Sequence, residues 1–294
     1  MPNDDFIVPE DPDGNLSAWC RTWIDGIHYI YTMDKKLIKT GRIIFAIGIL
    51  ALGIVCIISK DFILGRPPAW PASLDFNPAL GYVSGIILII SAITILFKKY
   101  AAQAALLIAA LIFLLSILRC LPHFMNDWLN AYKSMALFGG SLLIAAAYGK
   151  EEINTITRFK NNKGLLITGT LLLAVFFIAC GYAHFKFADF INNFIPAYIP
   201  FHIFWAYFCG ICLFAGGLGI LIPQTRHWAA LLSGIMLGGW FVLLHIPRFL
   251  ANTNDASDRM GLCESFTLCG VFLVLAGISS KKNKTTRNYN TTNK

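Results

Sequence analysis

Leu118-Arg119-Cys120-Leu121-Pro122-His123-Phe124 closes one long apolar segment, and Leu243-Leu244-His245-Ile246-Pro247-Arg248-Phe249 closes another, 125 positions later. An earlier signature recurs as well: Pro68-Ala69-Trp70 in the first half, Pro196-Ala197-Tyr198 in the second. A chain that repeats a unit built of apolar segments predicts a duplicated membrane bundle, in which every polar residue has a counterpart to be compared with.

Working outward from these stretches, the two halves align at three offsets. At 128, Gly41 meets Gly169, Gly53 meets Gly181, and Asp61-Phe62 meets Asp189-Phe190. At 125, Tyr82 meets Tyr207, Gly85 meets Gly210, and Pro122 meets Pro247. At 131, Lys133-Ser134 meets Glu264-Ser265 and Gly139 meets Gly270.

Composition agrees with a membrane setting. Hydrophobic residues make up 56% of the 294 and charged residues 14%, against about 25% charged in a soluble domain. A spanning helix needs about 20 apolar residues. Eight segments qualify: 42–59, 79–97, 101–121, 134–149, 165–183, 202–222, 227–246 and 263–279, the fourth and eighth being the weakest. The expected fold is an all-α membrane protein with eight transmembrane helices in two parallel four-helix-bundle repeats. Its parts are an N-terminal segment 1–40 with an amphipathic helix near 19–33, a first unit 41–149, a linker 150–164, a second unit 165–279 and a basic tail 280–294. No secretory signal is expected, because the first apolar run is too long for a signal core.

Charge sets the orientation. The net charge is +8, and seventeen of the 24 Lys and Arg fall on the side that carries both termini. By the positive-inside rule that side is cytoplasmic. The same placement makes the basic tail a stop-transfer flank rather than a nucleic-acid arm.

A first span closing in Gly181-Tyr182-Ala183-His184-Phe185, then Ile195-Pro196-Ala197-Tyr198-Ile199-Pro200, a Gly-rich second span and a third ending Leu-His-Ile-Pro resemble the DoxX-like family of four-helix membrane proteins, here in tandem over about residues 41–279. The resemblance implies a bacterial inner-membrane location and a membrane subunit or anchor of a redox system, with quinone a candidate cofactor, rather than an independent enzyme. The first half departs from the pattern, with Cys56 in place of His184 and Cys120 in place of His245.

Ionisable groups within or at the rim of a bilayer are costly and therefore candidates for function. His184, His245 and Arg248 in the second half, with Arg119 and His123 in the first, predict a polar site at the outer mouth of each unit. There an arginine would hold an anion or a quinone carbonyl and a histidine would relay a proton. Arg and His at a helix end also simply reach for headgroups. Cys56, Cys120, Cys209 and Cys212 are the redox thiol candidates, with Cys56/Cys120 and His184/His245 expected to approach each other. The Cys209-Gly210-Ile211-Cys212 spacing lies inside a span, so small residues packing closely account for it as well. Lys133 and Glu264, equivalent and opposite in charge, predict an ion pair across the pseudo-two-fold axis. Two further function classes stay open: a small-molecule or lipid carrier with an outward-facing cavity, and a thiol-disulfide oxidoreductase. Parallel rather than inverted repeats, and a lack of acidic residues inside the spans, weigh against proton-coupled transport. No Walker loop, HExxH, haem-binding CxxCH, dinucleotide fingerprint or catalytic serine motif occurs, and no metal is expected.

Overall fold

The protein is described by a computed structural model covering residues 35–64, 70, 78–125, 127–149 and 162–280. The expected amphipathic helix near 19–33, most of the linker and the basic tail lie outside the described residues.

The described residues are helical, with no strand among them. The helices are α1 (Lys35–Ser59), α2 (Ala79–Leu96), α3 (Ala101–Cys120, continued by a 3-10 turn to His123), α4 (Trp128–Tyr148), α5 (Asn162–Lys186), α6 (Ala188–Phe194), α7 (His202–Leu221), α8 (Arg226–Trp240), a π-helical turn Phe241–His245, α9 (Ile246–Ala251) and α10 (Ala256–Ile278). Seven described spans are long and apolar enough to cross a membrane: α1, α2, α3 with its 3-10 turn, α5, α7, the α8–α9 stretch and α10. The α4 helix is not among them, although its 21 residues are long enough. The reason is compositional: α4 carries Asn130, Lys133, Ser134, Gly139, Gly140 and Ser141 because protein, not lipid, surrounds it.

Three starts correct the sequence reading. The α1, α4 and α10 helices reach back to Lys35, Trp128 and Ala256, seven, six and seven residues before the expected starts. Asp255 caps α10, its carboxylate accepting from the Ser257 and Asp258 amides at 2.7 and 3.0 Å, as an N-cap acid does. The earlier start brings Asp258 into the helix, and it is buried, as is Glu264, which already fell within the expected span. The expectation that the spans lack internal acidic residues is therefore overturned, and with it one argument against proton-coupled transport.

The helices pack pairwise in a closed circuit: α1 on α2, α2 on α3, α3 on α4, α4 on α5, α5 on α7, α7 on α8, α8 on α10, and α10 back on α1. The α4 and α10 helices also touch each other across the middle. Glycines mark the crossings. A Cβ on Gly41 would stand 2.5 Å from the Gly270 carbonyl oxygen, and one on Gly169 would stand 2.6 Å from that of Gly139. Likewise Gly53 meets Gly85 and Gly181 meets Gly210. Without side chains the backbones approach closely, which is how helices pack where lipid supplies no hydrophobic drive. Successive crossings (Gly41 with Gly270, Gly48 with Thr267) run antiparallel, so the start of α1 and the end of α10 share one end of the bundle. The other is called here the mouth end.

A self-contained four-helix unit would pack its first helix on its fourth. The partners of α1 are instead α2 and α10, and those of α4 include α5. The α4 and α10 helices thus each pack on a helix from the other half of the sequence.

At the terminal end, Arg42 donates from Nη1 to the Ile95 and Leu96 carbonyls at 2.8 and 3.2 Å. Arg226 does the same for Ile220 at 2.7 Å and Leu221 at 3.3 Å. These carbonyls lie in the last turns of α2 and α7, where i+4 amides run out (that of Ile95 also accepts from the Lys98 amide at 3.1 Å), and a cation there also complements the helix dipole. They are equivalent by repeat; the arginines are not.

Candidate functional site

A cavity of about 490 Å³ opens at the mouth end, inside the ring formed by α4, α5, α6, α7, α8 and α10. Its two sides differ chemically. The central helices α4 and α10 contribute Asp127, Asn130, Lys133, Ser257 and Glu264. The opposite wall is aromatic: Phe176, Phe177, Phe187, Phe194, Trp205 and Trp240. The size is that of a small-molecule site, and a mostly apolar lining with a few convergent polar groups is the usual composition of one.

His184 and His245 both line this cavity, as does Cys209. The two histidines therefore share one chamber. The His184 ring is held by the last turn of α5, with Nδ1 2.9 Å from the Ala206 carbonyl. A carbonyl only accepts, so Nδ1 carries the hydrogen and Nε2 of the neutral ring is an acceptor. His245 ends the π-helical turn. Its ring lies over Gly261 of α10, where a Cβ would come within 2.9 Å of Nδ1. Gly261→Ala is expected to displace His245 without altering it, and ring-proton shifts in an NMR spectrum will register the move.

Lys133 and Glu264 form an ion pair at 3.6 Å between α4 and α10, as the repeat predicted. Their place in the cavity wall was not expected; a purely structural role was. The partners are unequal, with side-chain exposures of 33% for Lys133 and 7% for Glu264. Removing the cation from a buried carboxylate costs more than the reverse. Lys133→Met is therefore expected to lower the midpoint of thermal unfolding in detergent further than Glu264→Gln. Equal shifts would mean that burial does not govern this pair.

Both arginines bind groups of the protein itself. Arg248 Nε donates to Asp258 Oδ1 at 2.9 Å, Nη1 donates to the Phe194 carbonyl at 3.0 Å, and the guanidinium sits 3.6 Å from the Phe194 ring centre. Arg119 pairs with Asp61 at 2.9 Å, donates to the Phe62 carbonyl and stacks on Trp70 at 4.6 Å. Trp70 Nε1 in turn donates to Asp61 at 2.9 Å. Each arginine ties the segment that follows the first helix of its half into the bundle. These protein partners engage the donors on which the expected hold on an anion or carbonyl would draw.

The same ties explain why the halves differ. Phe62 and its repeat equivalent Phe190 have opposite fates: Phe62 is buried at 2% exposure, and Phe190 lines the cavity at 58%. With Phe62 and Leu64 packed into the core, the first half keeps a recess of about 70 Å³ beside Cys120, Ser116 and Ser134. His123 is half-buried at the end of the 3-10 turn and lines neither space. Cys56 is fully buried, its thiol 3.9 Å from the Ile63 carbonyl. Cys212 lies on α7 outside the cavity lining. All seven described cysteines are free thiols. No His/Cys/Asp/Glu cluster among the described residues has the geometry to hold a metal.

These features define a class, that of a multi-pass helical membrane protein with a chamber at one end. Within that class, a family model described as a domain of unknown function (DUF8561) matches residues 173–258, which run from α5 to the first turn of α10 and include both cavity histidines. No curated protein and no solved structure matches the chain.

Proposed function

We propose that the chain crosses the membrane eight times as two parallel DoxX-like repeats, and that it serves a redox system as a binding subunit, holding a small membrane-dissolved amphiphile in the second repeat's cavity. The observation that carries the binding is the two-sided chamber: a polar wall on α4 and α10 against an aromatic wall on α5 to α8. A ligand with hydrogen-bonding oxygens at one end and an apolar or ring body satisfies both sides. Quinone is the candidate that the DoxX-like resemblance adds. The matched glycine crossings support the two-repeat reading, and the excess of Lys and Arg on the side of the termini supports a cytoplasmic terminal end with the cavity on the outer face.

The test is retention. The protein is purified in mild detergent, extracted with organic solvent, and the extract is identified by mass spectrometry. About one molar equivalent of a single amphiphile is expected. Its amount should fall on the order of tenfold when both Lys133→Met and Glu264→Met are introduced, a loss of about 1.4 kcal/mol of binding. A wild-type extract holding only the bulk lipid mixture would count against the proposal.

A further inference from the structure

We infer that this ligand reaches the cavity sideways from the bilayer, through the seam between α7 and α8. The inference rests on the binding proposal above and adds the route, and with it the source, of the ligand. Three observations support it.

The first is packing. In the most apolar stretch of the α8–α9 span 17% of residues are buried, against 72% for α10. The last buried residue on α8 is Gly234, and nothing from Ile235 to Ala251 is buried. Met236, Leu237, Trp240 and Leu244 face the cavity, while Ile235, Val242 and Leu243 are exposed at 51–59%. The mouth half of α8 is thus a wall one helix thick between chamber and lipid.

The second is what bridges the seam. Trp205 of α7 and Trp240 of α8 meet edge to face at 5.8 Å, and both line the cavity. Their repeat equivalents are Leu80 and Leu115. Two flat rings in edge contact part by side-chain rotation once the Trp240 hydrogen bond with Cys209 across the same seam is released.

The third is a hinge beside the seam. Pro247 has no amide hydrogen, so the Leu243 carbonyl loses its helical donor. The chain there relaxes into the π-helical turn Phe241–His245, and the Tyr198 hydroxyl donates to the freed carbonyl. Such turns are weak points in a helix and cluster at functional sites. Tyr198 therefore latches the segment that carries His245 and leads away from Trp240.

The experiment follows loading of 12-bromododecanol into the protein in lipid nanodiscs by native mass spectrometry, where the bromine isotope doublet identifies the bound probe. Trp205→Cys/Trp240→Cys, bridged by a bifunctional methanethiosulfonate, is expected to load at least tenfold more slowly than the same protein after reduction. Because Cys180 and Cys209 are free thiols in the cavity wall, the bridged variant also carries Cys180→Ser and Cys209→Ser, and that background with Trp205 and Trp240 intact should be unaffected by the reagent. Tyr198→Phe keeps the ring and releases the carbonyl, and is expected to load several-fold faster. Loading of the bridged variant at the wild-type rate overturns the lateral route, and an unchanged Tyr198→Phe rate overturns the latch. If wild type retains no probe at all, the binding proposal itself fails, which is a different outcome from either.

Discussion

Gly270→Leu will separate α1 from α10 and cost about 3 kcal/mol or more. A Cβ at this position would stand 2.5 Å from the Phe45 amide nitrogen and 2.6 Å from the Gly41 carbonyl oxygen. Both obstacles are backbone, which cannot turn aside as a flexible side chain does, so the two helices must move apart. Overpacking a tight interface typically costs 1–3 kcal/mol even where side chains can adjust. The α1–α10 contact is also a closing link of the helix circuit, so the loss spreads to neighbours. A fall in thermal midpoint on the order of 10 °C is expected in detergent. Gly139→Leu, the repeat equivalent, should behave alike, since its Cβ would meet Leu172 Cβ at 2.8 Å and the Gly169 carbonyl at 3.1 Å. Gly239→Ala is the control: nothing stands within 4 Å of that Cβ, and alanine is the better helix former. A Gly270→Leu protein as stable as the Gly239→Ala control would refute the close crossing.

Asp61→Asn comes second, at about 3 kcal/mol. It leaves the Arg119 guanidinium, 8% exposed, without its carboxylate, and stranding a buried charge costs more than the intact pair contributes. Adding Arg119→Met to Asp61→Asn should restore most of the loss, because the charge is then gone and an apolar side chain of similar length fills the space. Asp258→Asn should cost less, since Arg248 is 27% exposed and water screens it. Chemical denaturation of the three variants checks the order. A double variant worse than Asp61→Asn alone would show that Arg119 contributes chiefly through its other contacts.

Much of the scaffold was legible in the residues. The helices overlap the apolar runs that predict them, although α1, α4 and α10 start six or seven residues earlier, and the paired glycines are the crossing points. Lys133 and Glu264 form the ion pair that their alignment suggested. The site was legible only in part. His184 and His245 stood out as ionisable groups near span ends, and they do share a chamber. The aromatic wall did not stand out, because a Phe or Trp facing a cavity has the same helical spacing as one facing lipid. Lys133 and Glu264 could have been found from the expense of two charges at equivalent span entries.

Position-by-position comparison of the halves also misled where jobs moved along the chain. Arg42 and Arg226 close equivalent helix ends from unrelated positions, and so do Arg119 and Arg248 for the segments after α1 and α5. An alignment sets Arg119 against Leu244 and Arg248 against His123. A carbonyl can be reached by any long cation nearby, so the need is conserved between the halves while the address is not.

What the sequence determined by itself is that the chain forms a set of long apolar helices, because a chain with this little charge must satisfy its backbone internally and bury its polar groups among helices. Which helices pair, and which half keeps an open chamber, only the tertiary structure decided. Both depend on surface fit: glycines let α1 reach α10 and α4 reach α5, and Phe62 enters its core while Phe190 remains at a cavity wall. Hydrophobic pattern specifies that a residue leaves water, and only packing specifies what it meets.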